Sequence, residues 1–137
     1  MASLKEHRNH FHKVNEETVF LNLTRAEICT TIYGVAMCRD MIDDGKHPIF
    51  HGALEDAYNT LELVLDGHKL PESDTVRFTL KRGMLCNVTR AILGYADVMR
   101  KQGRAGRTEE ALRAVWQKLH EQRERHEQKA IKRVWRS

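Results

Sequence analysis

The stretch TVFLNLTRAEIC, Thr18–Cys29, returns as TVRFTLKRGMLC, Thr75–Cys86. Five of the twelve positions are identical at an offset of 57: Thr18/Thr75, Val19/Val76, Leu23/Leu80, Arg25/Arg82 and Cys29/Cys86. Leu21/Phe78 and Ile28/Leu85 keep apolar character. A second echo sets ALEDAYNTL (53–61) against ALRAVWQKL (111–119) at an offset of 58, with Tyr58 opposite Trp116. Two echoes in the same order predict one unit used twice: a short extended piece, a helix, a loop and a second helix.

Val19, Leu21 and Leu23 alternate with other neighbours, as do Val76, Phe78 and Leu80. Period two reads as a strand with one buried face. Two such strands could pair across a pseudo-twofold axis; the alternative is that both are only arms leading into helices. The expected fold is therefore mainly α. About four helices form two helical hairpins in repeats 18–66 and 75–119, with or without two short paired β-strands. An N-terminal arm (1–17) precedes this single domain, and a long, polar, basic helix (120–137) extends from it.

Local signals place the helices. Thr24 and Glu27 form a capping box, in which hydroxyl and carboxylate reciprocally bond each other's backbone amides. The first helix should bury Ile28, Ile32, Val35, Ala36 and Ile42, run to about Ile42 and end at DDG, with Gly45 as the stop. Pro48 opens the second, whose stripe is Leu54, Ala57, Tyr58, Leu61, Val64 and Leu65. The third carries Met84, Leu85, Val88, Ala91, Ile92, Tyr95, Val98 and Met99. Its Gly94, disfavoured in a helix interior by about 1 kcal/mol, is expected to admit another backbone opposite Gly34. Thr108 should cap the fourth, with Ala111, Leu112, Val115, Trp116 and Leu119 as its core face. After Leu119 ten residues pass without an apolar side chain. There Glu121/Arg125 and Arg123/Glu127 support an exposed helix as i,i+4 pairs. Ile131, Val134 and Trp135 then return at helical spacing. They are expected to meet the N-terminal arm, a second copy in a homodimer, or another molecule.

The 137 residues suit one domain with a real core. No apolar run approaches the roughly 20 residues a spanning helix needs, so no membrane association is expected. The start of the chain lacks the apolar core of a signal peptide, which implies a cytoplasmic location. Cys29, Cys38 and Cys86 lie in apolar segments and read as reduced, buried thiols. The formal charge of +4 is unevenly spread. Residues 39–74 hold nine acids and three bases, whereas 75–137 hold sixteen bases and six acids. One face should be electropositive.

Catalytic patterns are missing from the sequence. The serines, Ser3, Ser73 and Ser137, are terminal or in a loop, and no nucleophile elbow occurs. A catalytic cysteine needs an exposed low-pKa thiolate near a histidine, which core-like cysteines do not offer. His7, His10 and His12 cluster, and His47 and His51 could share a helix face. No HExxH, Glu-x-x-His or CxxC pattern accompanies them, so no metal is expected. GRAGR lacks the lysine–serine ending of a phosphate loop, and no cofactor is expected. Two basic clusters remain: Arg100, Lys101, Arg104 and Arg107, then Lys129, Lys132, Arg133 and Arg136 beside Trp135. Such side chains neutralise phosphates, and an adjacent aromatic can stack on a base.

LNLTRAEICTTIYG, an arm entering a Thr-capped helix, resembles a pattern in small accessory proteins of phages and mobile elements. That resemblance implies a compact, non-enzymatic protein that binds a host macromolecule, often to inhibit it. It assigns no functional residue. The expected function is thus a non-enzymatic helical binding protein, an inhibitor of a host defence or nucleic-acid-processing complex. Its partner would be a host protein or ribonucleoprotein. The alternative is direct DNA or RNA binding through the basic C-terminal third. In either case the two basic clusters and Trp135 are the expected contact residues.

Overall fold

A computed structural model describes residues 14–42, 45–67 and 74–136, and of residues 134–136 the backbone alone. The chain runs α1 (residues 14–16), β1 (Thr18–Thr24), α2 (Arg25–Met41), α3 (Pro48–Asp66), β2 (Thr75–Lys81), α4 (Arg82–Lys101) and α5 (Arg107–Arg136). Five helices are therefore described where the sequence predicts four. The additional one is α1, described over residues 14–16 of the N-terminal arm.

β1 and β2 pair antiparallel, with Thr18 opposite Lys81, Leu21 opposite Phe78 and Thr24 opposite Thr75. Adding 57 to each β1 residue maps this ladder onto itself, with Leu21–Phe78 at its centre. The strands alternate as the sequence predicts. Val19, Leu21, Leu23, Val76, Phe78 and Leu80 are buried, and the residues between them face out. The buried side joins one hydrophobic cluster built from α2, α3, α4 and α5.

The buried helix positions recur at fixed offsets. In α2 these are Ile28, Thr31, Ile32, Gly34 and Val35. Adding 57 gives Leu85, Val88, Thr89, Ala91 and Ile92, all buried in α4. In α3, Leu54, Ala57 and Leu61 are buried. Adding 58 gives Leu112, Val115 and Leu119, all buried in α5.

The capping box is formed. Thr24 Oγ1 accepts from the Glu27 amide at 3.1 Å, and Glu27 Oε1 accepts from the Thr24 amide at 2.8 Å. Lys118 Nζ of α5 donates to the same Oε1 at 2.7 Å, so the cap also ties the last helix to the first. Burial acts to raise the Glu27 pKa, but Lys118 and the Thr24 amide outweigh it and hold the carboxyl below its ordinary value. A depressed carboxylate adds stability that is complete above its unfolded pKa of about 4.3 and disappears as pH falls through the folded one. Glu27→Gln is therefore expected to lower the urea midpoint at pH 7 and to flatten its decline between pH 5 and pH 3. Wild-type and variant midpoints falling in parallel over that range would contradict this.

α2 ends as expected close to Ile42, which turns extended (φ −90°, ψ 127°). Other expectations are corrected. α5 starts at Arg107, so Thr108 sits within its first turn and does not cap it. Gly34, not Gly94, is the close approach. A Cβ on Gly34 would lie 2.8 Å from both Ile92 Cγ2 and Leu112 Cδ2, whereas one on Gly94 would meet nothing within 4 Å. The cysteines are free but not fully buried: Cys29 is exposed, and Cys38 and Cys86 are half-buried. Burial pushes the Cys38 thiol up.

Candidate functional site

α5 is one unbroken helix of 30 residues. Beyond Leu119, where its apolar stripe stops, it does not leave the fold. It lies along β1 and is held there by polar contacts that its sequence does not announce. The Gln122 side-chain amide completes the edge of β1: its Oε1 accepts from the Asn22 amide at 2.8 Å, and its Nε2 donates to the Asn22 carbonyl at 2.9 Å. His126 Nε2 lies 3.2 Å from Glu17 Oε2. Glu127 Oε1 accepts from Arg82 Nη2 at 2.6 Å and from Arg82 Nε at 3.0 Å. The expected helical pairs Glu121/Arg125 and Arg123/Glu127 do not form. Glu121 accepts from Gln117, and Arg123 turns inward toward Cys86 Sγ and His120. Contacts with the strands and with α4 outcompete pairs worth only about 0.2–0.5 kcal/mol on a helix surface.

Between β1 and this half of α5 runs an open groove of about 690 Å³. Thr18, Phe20 and Asn22 form one wall; Gln122, Arg125, His126, Lys129 and Arg133 form the other. Phe20 is 76% exposed, on the outward side of the strand pair. It also borders a second depression over the sheet, shared with Asn22, Thr75, Arg77 and Thr79. Glu17 is the groove's acid, and it faces His126.

The charges of α5 sort by face. Glu124 pairs with His120, and Glu127 with Arg82. Arg125, Lys129 and Arg133 are exposed and have no ion-pair partner among the described residues. Their four-residue spacing stacks like charges along one helix face, an arrangement that destabilises a helix by a few tenths of a kcal/mol per pair. Among the described residues no carboxylate compensates them.

The expected contact residues are divided by the structure. Arg100 Nε bonds the buried Glu109 carboxylate at 2.9 Å, which Arg113 also grips at 2.8 Å. Arg113 and Arg100 together hold the Glu109 carboxyl below its ordinary value despite its burial. Arg104 donates to Tyr95 Oη at 3.3 Å and to Gln102 Oε1 at 3.2 Å. Arg100 and Arg104 thus brace the α4–α5 turn, which accounts for their place in the sequence without a partner. Lys101 and Arg107 are exposed. Arg107 begins α5 and lies about 33 Å along the helix from Lys129, so the two clusters do not form one surface. Of the second cluster, Lys129 and Arg133 line the groove and Lys132 is exposed outside it. The side chains of Trp135 and Arg136 lie outside the described residues, as do His7, His10 and His12. Phe20, Gln122 and Arg125 are absent from the sequence-predicted set. Phe20 alone carried a local signal, an aromatic at an outward position of an alternating strand.

Among the described residues, no group of three histidine, cysteine or carboxylate side chains could hold a metal. No helix in those residues is long and apolar enough to cross a membrane. No protein family, curated protein or solved structure matches this chain.

Proposed function

We propose that this is a non-enzymatic binding protein that takes an anionic macromolecule in the groove between β1 and α5. The observation that carries this reading is the convergence of Arg125, Lys129 and Arg133, without an ion-pair partner among the described residues, on one groove with the exposed Phe20. Three cations provide affinity that depends on salt, and one apolar ring provides an anchor. Inhibition of a host complex, which the resemblance to mobile-element accessory proteins implies, would act through this same surface.

The test uses heparin as a partner-neutral polyanion, titrated calorimetrically at several salt concentrations. The wild type should bind, with affinity falling log-linearly as salt rises. Arg125→Glu/Lys129→Glu/Arg133→Glu should lose at least tenfold in affinity with a thermal midpoint within a few degrees of wild type, since all three side chains are exposed. Lys101→Glu/Arg107→Glu, at the far end of α5, should bind nearly as wild type. Equal losses in the two variants would mean that binding follows net charge, and the groove would not be the site.

We further propose that the two halves are copies of one strand–helix–helix unit. The support is threefold: the same element order twice, a ladder that maps onto itself at offset 57, and buried positions that coincide at offsets 57 and 58. An experimental structure in which residues 18–66 fail to superpose on 75–120 would end this proposal.

A further inference from the structure

We infer that the groove's occupant is a single strand of nucleic acid, with a base stacked on Phe20 and its backbone following Arg125, Lys129 and Arg133; this rests on the polyanion reading above. Charge complementarity narrows the occupant to an anionic chain. Three features of the groove favour nucleotides over an acidic peptide.

The first is the ring. Phe20 is 76% exposed and stands where the groove meets the depression over the sheet. Its neighbours on the outward face are Thr18, Asn22, Arg77 and Thr79, all polar. A solitary flat ring among hydrogen-bonding side chains offers a stacking surface to a base and little to an apolar side chain that needs enclosure.

The second is the strand edge. Asn22 turns its backbone N–H and C=O away from β2 toward α5. The two-residue period of the ladder puts those of Phe20 and Thr18 on the same edge. An extended peptide adding as a strand would need the whole edge. Gln122 already occupies Asn22, and the Thr24 amide is held by Glu27. Only the Thr18–Phe20 backbone remains, enough to meet one base edge and too little for a strand.

The third is spacing. Arg125, Lys129 and Arg133 follow one another about 6 Å apart along the helix. This is the scale of consecutive phosphates in an extended strand. Arg77, exposed across the sheet face from Phe20, flanks the other side of the ring.

The experiment measures fluorescence anisotropy of labelled oligonucleotides with the full chain: a 12-mer of deoxythymidylate, a 12-mer of uridylate, and a mixed-sequence duplex of the same length. Heparin and poly-glutamate serve as competitors. Wild type should bind the single strands more tightly than the duplex. Phe20→Ala should weaken single-strand binding about tenfold or more while heparin affinity stays within twofold, because stacking and phosphate contact are separate contributions. Phe20→Trp should restore binding, and oligonucleotide should quench its added fluorescence. Phe20→Ala binding the single strands as wild type, or a duplex bound as tightly as a single strand, would overturn the inference and leave the polyanion reading standing. Poly-glutamate displacing the oligonucleotide at equal charge would also overturn it, in favour of an acidic protein. Failure of wild type to bind any of these polyanions would remove both readings.

Discussion

Ile92→Ala is expected to lower the free energy of unfolding by about 2–5 kcal/mol, the usual cost of deleting buried methyl groups and leaving a cavity. The upper part of that range applies. Ile92 is wholly buried, and its Cγ2 is one of the two atoms against which Gly34 closes. The α2 backbone therefore approaches closely on that side and has little freedom to collapse into the void. Leu61→Ala should fall in the same range, since Leu61 is 1% exposed in the cluster that joins α3 to the rest of the core. Leu119 of α5 is equally buried and should respond alike. Urea unfolding at constant slope checks these values. Losses under about 1 kcal/mol would show that the core lies elsewhere.

Gly34→Ala should destabilise by about 1–3 kcal/mol although it adds a single methyl group, because overpacking a closed contact forces neighbours off their rotamers. The new Cβ would meet Ile92 Cγ2 and Leu112 Cδ2 at 2.8 Å, one of them a β-branched side chain that cannot swing away. Gly94→Ala supplies the control. The same substitution in the middle of α4 meets open space, so it should stabilise by up to about 1 kcal/mol through helix propensity and a less flexible unfolded chain. Opposite signs from identical chemistry would show that contact, and not helix propensity, decides the outcome at residue 34. Thermal or urea unfolding of the two variants side by side reads the result, and two stabilising changes would refute the close approach.

Position 34 also shows where sequence reading stops. Both glycines sit inside strongly patterned helices, and propensity penalises both alike. Nothing local distinguishes the one facing a neighbouring helix from the one facing outward. The distinction arises only when α2 is laid against α4 and α5. The basic residues behave in the same way. Arg100 and Arg125 look equivalent in the sequence, each near other bases at a helix surface. Yet Arg100 finds Glu109 across the α4–α5 turn, while Arg125 finds no carboxylate among the described residues. Within the Arg100–Arg107 cluster, Arg100 and Arg104 have partners inside the chain, whereas Lys101 and Arg107 are exposed.

What the sequence by itself determined is the periodic pattern of the strands and helices and one capping box. The two-residue alternation of Val19–Leu23 and Val76–Leu80 set the buried face of each strand. The helical stripes around Leu61 and Ile92 set the core sides of α3 and α4. Thr24 and Glu27, three residues apart, set the start of α2. These are interactions within a turn or along one strand, where spacing fixes geometry. Only the tertiary structure decided the path of α5 beyond Leu119, because no apolar stripe directs it there. Gln122 on Asn22, Glu127 on Arg82 and Lys118 on Glu27 hold it, partners separated by 100, 45 and 91 positions. Hydrogen bonds and ion pairs of that reach leave no periodic trace, since any of several polar residues could satisfy them. The groove beside Phe20 exists because those few contacts place a helix next to a strand edge.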